Sequence, residues 1–409
     1  MNNNDKNIVR ELAKKYADLA KLPVMQARIK RMRDNNDLIA GRPPVLINEI
    51  PWHEMNIDGR LDLKCEDEFA RGFERYFKTV LLRWDYFRVD MVVEDFLTVY
   101  KSCRDESVQL LTDEKTLRTD SENNICSHEY NDVLSTEADL EKITEPKLTA
   151  DKALDALNVE KTQDLTGGIL PVKLRGSYVY HSPWDTIASL RGAEKLLFDL
   201  AVRPEFMHKI IDRFTNNALS ALKQKERLGL LDSDIPDLHC TPPYASDFSS
   251  GEENRTKADN IWIRGTAQLF SSVSPDMHEE FELEYARKLY EKCKLVYYGC
   301  CEPLDNKIGL LKKIPNLRKI GVSPWADEEK CAEQTGGAYV YARKPNPSHV
   351  AAVTDIEVVK KETRKTVEIC RKYGCPYEFV LKDISTVGRK PQNLIAWAKA
   401  VTEVIDEYY

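Results

Sequence analysis

Apolar residues at helical spacing open the chain. These residues are Ile8, Leu12, Tyr16 and Leu19. Their spacing places them on one face of a helix. Glycine and two prolines at Gly41-Arg42-Pro43-Pro44 disfavour a helix there. We therefore predict an amphipathic helical extension over residues 1–44, with a packing role.

Beyond this extension, short runs rich in branched and aromatic residues alternate with helical stretches. The eight strand candidates are Val45 to Ile50, Val89 to Val93, Val172 to Leu174, Ile261 to Ile263, Leu295 to Tyr298, Leu317 to Val322, Ala338 to Tyr341 and Tyr377 to Leu381. Asp237 to Cys240 is a ninth candidate. Eight such alternations favour a closed parallel (β/α)8 barrel over an open doubly wound sheet.

Two stretches interrupt the alternation. Residues 105–165 are polar and acidic with few periodic apolar positions, and residues 232–260 are rich in proline, serine, glycine and charge. We interpret both as insertions in a barrel that spans residues 45–409, and as candidate lids.

The net charge of the chain argues against one class of partner. The chain has 409 residues, with 60 Lys and Arg against 67 Asp and Glu, and a formal net charge of -7. Nucleic-acid binding draws on a basic surface, so we expect no nucleic-acid partner.

The cysteines are expected to be reduced. Met1 to Lys6 lacks the basic start of a secretory signal, and no stretch approaches the ~18 apolar residues of a membrane span. We therefore expect a cytoplasmic protein with no membrane partner, in which the ten cysteines are thiols. Cys300 and Cys301 are adjacent and cannot form an ordinary disulfide with each other, which makes them candidates for metal or thiolate chemistry.

Several short motifs, taken in their order and spacing, resemble the uroporphyrinogen decarboxylase superfamily. They are Gly176-Ser177, Ser182-Pro183-Trp184, the run from Leu190 to Leu200, Ser274-Pro275-Asp276-Met277, and Pro391 with Asn393. The resemblance extends from about residue 45 to the end of the chain, and it implies a TIM barrel.

One early segment distinguishes two branches of that superfamily. The decarboxylases carry an Arg-Gln-Ala-Gly-Arg segment there, whereas this chain has Ile47 to Glu54, whose acidic side chains would repel a polycarboxylate. The chain therefore looks closer to the zinc-dependent methyltransferases of the superfamily, which demethylate a small substrate and pass the methyl group to a corrinoid protein or a thiol.

The same resemblance implies a zinc site with an altered ligand set. The His-x-Cys-Gly ligand segment of those methyltransferases corresponds here to Tyr298-Gly299-Cys300-Cys301, so Cys300 falls on the ligand cysteine and Tyr298 replaces the histidine. A later cysteine is replaced around Asp383-Ile384-Ser385. The metal-ligand candidates are Cys300, Cys301, Glu302 and His239, with Asp383 as a further option. The alternatives are that the cysteines only pack as small apolar side chains and that His239 is an ordinary loop histidine.

Residues that follow the predicted strands would line the mouth of the barrel. The candidates for proton transfer are Glu49 and Asp383, and the candidates for substrate contact are Trp52, His53, Gln268, Trp325 and Lys344. Aromatic walls suit a methylated ammonium or an aromatic methyl ether. Aromatic packing of Trp52 and His53, and an ion pair between Lys344 and Asp383, are the structural alternatives.

The function expected from these residues and the resemblance is methyl transfer. A zinc-dependent methyltransferase would move a methyl group from a small methyl ether or methylamine-like substrate to a corrinoid. The chain has no Asp-x-His-x-x-Gly cobalamin segment, so the corrinoid would be carried by a separate partner protein. A decarboxylase or lyase of a small acid or porphyrinogen and a non-catalytic binding protein are the alternatives, and a homodimer is left open.

Overall fold

The computed structural model of the protein describes residues 2–87, 89–107, 109–118, 121, 123, 125–352 and 355–409. The helices are α1 (Asn3–Ala20), α2 (Pro23–Asn36), α3 (Glu68–Tyr86), α4 (Glu137–Leu140), α5 (Lys152–Thr166), α6 (Pro183–Arg191), α7 (Ala193–Val202), α8 (Pro204–Arg227), α9 (Glu252–Arg255), α10 (Pro275–His278), α11 (Glu284–Tyr290), α12 (Ile308–Leu311), α13 (Glu328–Thr335), α14 (Ser348–Ala351), α15 (Ile356–Tyr373) and α16 (Pro391–Asp406). The strands are β1 (Val45–Ile47), β2 (Leu97–Tyr100), β3 (Cys103–Asp105), β4 (Asp113–Leu117), β5 (Ser127–Asn131), β6 (Leu148–Ala150), β7 (Val172–Arg175), β8 (Val179–His181), β9 (Trp262–Gly265), β10 (Leu295–Tyr298), β11 (Leu317–Val322), β12 (Val340–Arg343) and β13 (Tyr377–Leu381).

The predicted N-terminal helix is present but is divided in two. α1 ends at Ala20, and α2 begins at Pro23, whose missing N–H is tolerated in the first helical turn. Tyr16 of α1 is buried, and its ring lies 5.3 Å from the ring of Phe77 in α3. The extension therefore packs against the rest of the protein, as its apolar face indicates.

The centre of the fold is a seven-stranded parallel sheet in the order β1-β13-β12-β11-β10-β9-β8. Helices separate its strands along the chain, so the fold is mixed α/β. Six of the predicted strands lie in this sheet, and the predicted strand at Val172 forms β7, which pairs instead with β2. Within the described residues the ladder stops at β1 and at β8, so a closed ring of eight hydrogen-bonded strands is not observed.

Two of the nine strand candidates are wrong. Asp237 to Cys240 forms a bend, in which the Asp237 carboxylate accepts from the Cys240 N–H at 2.9 Å. Val89 to Val93 is buried but forms no ladder, because Asp90 meets β1 through its backbone N–H and its carboxylate, which contact the O and N of Val45 at 2.8 and 3.0 Å. The strand in this part of the chain is β2. β8 was not predicted, since its three residues are too few to show an alternating pattern.

The two faces of the sheet bury different residues because successive side chains point to opposite sides. One face carries Val296, Tyr298, Ile320 and Phe379, which join a large apolar cluster with helices such as α15 and α16. The opposite face, which we call the inner face, carries the side chains of Trp262, Arg264, Tyr297, Lys319 and Glu378, all of them buried.

Residues 232–260 cover this inner face rather than forming a lid over the molecule. The indole of Trp262 donates a hydrogen bond to the carbonyl of Pro243 at 2.7 Å. Lys319 Nζ lies 2.8 Å from the carboxylate of Glu378, and both of these side chains contact the hydroxyl of Thr241. The segment is therefore a packed wall, and the expectation of a lid is wrong for its central part.

The other interrupted stretch, residues 105–165, contains the exposed β4–β5 hairpin together with α4, β6 and α5. Asn123, which follows β4, donates a hydrogen bond from Nδ2 to the carbonyl of Ser385 at 3.0 Å. This contact brings the stretch to the loop that follows the last strand of the sheet.

None of the helices in the described residues is both long enough and apolar enough to span a membrane.

The buried pair of Lys319 and Glu378 gives the first prediction. In Lys319→Met the Glu378 carboxylate stays buried without its cation, so we expect the free energy of unfolding to fall by about 3–5 kcal/mol, measured by urea denaturation. The double variant Lys319→Met/Glu378→Leu should recover most of this loss, since apolar side chains need no compensating charge. Lys372→Met, which breaks the exposed pair with Glu329, is the control and should change stability little. Equal losses of stability in Lys319→Met and Lys372→Met would contradict the role of the buried pair.

Candidate functional site

The two adjacent thiols lie directly after β10. Gly299 has a φ of 98°, and a Cβ there would lie 2.5 Å from the Cδ1 atom of Leu304, so this turn requires glycine. The turn places Cys300 Sγ 3.7 Å from Cys301 Sγ, with Cys300 buried and Cys301 partly exposed.

Cys300 is surrounded by cationic and hydrogen-bonding groups. Lys382 Nζ lies 3.3 Å from Cys300 Sγ, and His239 Nε2 lies 3.8 Å from the same atom. A hydrogen bond from Cys301 lowers the pKa of the Cys300 thiol, and the charges of Lys344 and Arg264 lower it further, against the opposing effect of burial. These surroundings therefore favour the thiolate form of Cys300.

Cys301 has the opposite character. Its single S–H proton has two nearby acceptors, Asp383 Oδ2 at 3.1 Å and Cys300 Sγ at 3.7 Å, and it can be donated to one of them at a time. The hydrogen bond to Cys300 raises the pKa of Cys301, and burial and the Asp383 carboxylate raise it further. The surroundings thus favour a thiolate at Cys300 and a thiol at Cys301, so the two residues are not interchangeable.

Two buried cations support the thiolate from the inner face. Lys344 Nζ donates to the carbonyls of Cys300 and Gly299 at 2.7 and 3.2 Å. The Arg264 guanidinium is fully buried, and its carbon lies 4.3 Å from the centroid of the Tyr297 ring. Lys344 was predicted to contact substrate, but here it is buried and fixes the loop that carries the thiols.

Glu302 is also committed to the loop. One carboxylate oxygen accepts from the Thr266 hydroxyl at 2.8 Å and from the Ala267 N–H at 3.3 Å, and the other accepts from the Cys300 N–H at 2.8 Å. The side chain is fully buried. In this structure Glu302 therefore orients Cys300, whereas the sequence predicted that it binds metal.

A second group of donors shares His239 with the first. Ligand atoms of Glu49, His239 and Cys240 all lie within 4.8 Å of one another. Glu49 also accepts a hydrogen bond from the Asp383 N–H at 2.8 Å, which links it to the loop after β13. The structure thus brings together five predicted residues, which are Glu49, His239, Cys300, Cys301 and Asp383. It adds Cys240 and Lys382, which sequence reasoning did not select although each adjoins a selected residue.

The backbone at these donors is strained. Glu49, His239, Cys240 and Asp383 have φ values of 51°, 46°, 71° and 57°, in the left-handed region that side chains other than glycine rarely adopt. Each such residue costs on the order of 1–3 kcal/mol and persists only where the surrounding structure enforces it. Four strained residues at one cluster of donors make this cluster the candidate functional site.

The predicted aromatic wall lines one side of this cluster. Trp52 and His53 begin a short 3-10 turn and line a cavity of about 610 Å³ together with Glu49, Asp383 and Ile125. We call it the outer cavity.

Two other predicted substrate contacts lie elsewhere. Gln268 donates to Asp185 Oδ2 at 3.2 Å. Trp325 is 68% exposed and does not line the outer cavity.

No family model and no curated protein matches this chain. Among solved structures, a methyltransferase from Methanosarcina mazei is similar to it, with 11% sequence identity and a TM-score of 0.47, over 93% of this chain and 99% of that chain. Likeness at this level identifies neither a family nor an activity.

The contact between Lys382 and Cys300 gives the second prediction. Lys382→Met removes the cation 3.3 Å from the Cys300 sulfur, so the pKa of Cys300 should rise and the thiolate should be lost at a higher pH. The ultraviolet absorbance of the thiolate, followed during acid titration of metal-free protein, measures this change. Cys300→Ser identifies the band, and Lys399→Met, at an exposed lysine, is the control. An unchanged titration in Lys382→Met would show that Lys382 does not stabilise the thiolate.

Proposed function

We propose that the protein is a zinc-dependent methyltransferase that transfers a methyl group from a small methylated substrate to a corrinoid carried by a separate protein. The observation that carries this proposal is the convergence of thiol, imidazole and carboxylate donors from different parts of the chain: Glu49 and Cys300 follow parallel strands, while His239 and Cys240 come from the covering segment. The resemblance to the methyltransferase branch of the uroporphyrinogen decarboxylase superfamily supports it. We further propose that the seven-stranded sheet is the wall of a TIM-like barrel.

The donor set fits zinc. Tetrahedral zinc with a Zn–S distance of about 2.3 Å and a Zn–N distance of about 2.0–2.1 Å needs sulfur and nitrogen ligands roughly 3.6 Å apart. The Cys300 sulfur and the His239 nitrogen are 3.8 Å apart, and the Glu49, His239 and Cys240 donors lie within 4.8 Å of one another. Cys300 is not in the group that lies within 4.8 Å, so its sulfur would have to move toward Glu49 and Cys240 for all four residues to hold one ion.

We assign His239, Cys300, Cys240 and Glu49 as the residues that would hold the ion. Cys301 is left out because its thiol contacts Asp383 and Cys300. Glu302 is left out because both of its carboxylate oxygens already accept hydrogen bonds within the protein. Bound zinc would supply a Lewis acid for the heteroatom that the methyl group leaves, or for a thiolate.

The other residues of the site hold charge and protons in place. Lys382 neutralises the Cys300 thiolate and lies 3.2 Å from the Asp383 carboxylate, on its Oδ1 atom. Asp383 has its other oxygen within hydrogen-bond distance of the Cys301 thiol and lines the outer cavity together with Glu49, so these two carboxylates are placed to exchange a proton there. Glu302 fixes the N–H of Cys300 and thereby the direction of its sulfur.

Metal analysis and a methyl-transfer assay test this function. Purified protein should contain about one zinc per chain, as a single tetrahedral site requires, and should methylate free cob(I)alamin from a methyl donor. Cys300→Ser and His239→Ala remove ligands and should lose both zinc and activity. Cys103→Ser, at an exposed thiol outside the site, is the matched control and should keep both.

A milder change separates positioning from ligation. Glu302→Gln keeps an acceptor for one of the Glu302 contacts but not its charge, and we expect zinc affinity to fall by about 10–100-fold, as for other groups that orient a metal ligand. The proposal would be overturned if the purified protein contained no zinc and if Cys300→Ser and His239→Ala bound the methyl donor as tightly as the unchanged protein does. That result would favour a non-catalytic binding protein.

A further inference from the structure

A second cavity shares none of its lining residues with the outer cavity. Its volume is about 240 Å³, and its wall combines α1, α3, β1 and the covering segment 232–260. Cys240 lies in this wall, so the cavity reaches the donor group that contains Glu49 and His239. We call it the inner chamber.

Tyrosine rings form much of the inner chamber. Tyr16, Tyr76 and Tyr244 all line it. The hydroxyl oxygens of Tyr16 and Tyr76 are 3.0 Å apart, and their ring centroids are 5.8 Å apart at a tilt of 40°. Tilted electron-rich rings around a small space attract a cationic group such as a methylated ammonium.

Two of the acidic groups in the wall are already neutralised. Asp90 is paired with Arg31, and Glu94 receives two hydrogen bonds from Arg175, each of 2.7 Å. These carboxylates therefore leave little charge for a ligand.

The remaining charges of the wall are one cation and one anion. Arg83 donates to the carbonyl of Ile47 at 2.9 Å, and Asp237 accepts from the N–H of Cys240 at 2.9 Å. Among the described residues, neither side chain has an ion-pair partner within 4.0 Å. Burial raises the pKa of Asp237 and lowers that of Arg83, and the charge of each residue opposes this effect on the other. A ligand of the inner chamber thus meets a guanidinium and a carboxylate that are not joined in a direct ion pair.

We propose that the inner chamber binds a small zwitterion that carries a methylated ammonium at one end and a carboxylate at the other. Arg83 receives the carboxylate, while Asp237 and the tyrosine rings receive the ammonium, whose methyl groups then face the side of the chamber at Cys240. The volume is below the ~300–1,000 Å³ of drug-sized ligand pockets, so a tetrapyrrole does not fit. This inference rests on the proposed methyl transfer for its biological meaning and names the class of methyl donor.

Calorimetric titration with glycine betaine as the probe tests the proposal. Tetramethylammonium and acetate serve as the two half-ligands, and each should bind at least about tenfold more weakly than the betaine because each loses a charged contact. Arg83→Gln should weaken betaine binding by a similar factor and leave tetramethylammonium binding nearly unchanged. Arg75→Gln, on the same helix but facing solvent, is the matched control and should bind like the unchanged protein.

A second variant guards against misfolding. Asp237→Asn keeps an oxygen that can accept the Cys240 N–H but removes the charge, so it should weaken betaine and tetramethylammonium while acetate is unaffected. Thermal unfolding of each variant confirms that it is folded. Betaine that binds no more tightly than the half-ligands, or that binds equally well to folded Arg83→Gln and Asp237→Asn, overturns the proposal.

The same titration, repeated on zinc-free and zinc-loaded protein, separates the two proposals. Betaine binding that needs Arg83 and Asp237, in a protein that takes up no zinc, supports the inner chamber and contradicts the metal-dependent function. Zinc uptake and methyl transfer without such binding leave the function standing and overturn the assignment of the chamber.

Discussion

The buried pair of Lys319 and Glu378 is the interaction on which the arrangement of the site depends. Two charges on the inner face of a sheet are costly unless their hydrogen-bonding capacity is satisfied. Here the third partner is the Thr241 hydroxyl, which comes from a segment more than seventy residues away in sequence. Anchoring Thr241 fixes the residues just before it, and these are His239 and Cys240. The charge pair therefore sets the position of two donors that no strand of the sheet carries.

Strain at the donors follows from the same anchoring. The left-handed conformations of His239 and Cys240 would relax in a free loop, because each costs on the order of 1–3 kcal/mol. Packing of Leu238 in the apolar cluster of the inner face and the hydrogen bond from Thr241 to Glu378 hold the segment on both sides of these residues. Glu49 and Asp383 are held in a comparable way by their mutual hydrogen bond. Holding these four residues in left-handed conformations lowers the stability of the fold but directs their side chains toward one another. Such strain is common at sites that bind or react.

The sequence predicted the sheet better than the site, and the reason is physical. Strands such as β10 and β13 are buried on both faces, so they appear as continuous apolar runs that local pattern reveals. The position of Cys300 at a strand end follows from the same pattern. Cys240 and Lys382 were not selected, because their role depends on a long-range contact between segments that have no periodic signal. Glu302 was selected correctly as a residue near the thiols, but residue type alone could not show that its oxygens accept from Thr266, Ala267 and Cys300 rather than facing a ligand.

Two cavities of different size border the donor cluster. Glu49 and Asp383 line the outer cavity of about 610 Å³, while Cys240 lines the inner chamber of about 240 Å³. A group that passes between two partners must be approached by both, and a single closed pocket would force the partners to compete for the same space. Two separate cavities that border one fixed set of side chains avoid that competition and position both partners, and positioning lowers a barrier. The smaller chamber suits the methyl donor, and the larger and more open cavity suits a bulky acceptor, so the asymmetry of the site matches the asymmetry of the proposed reaction.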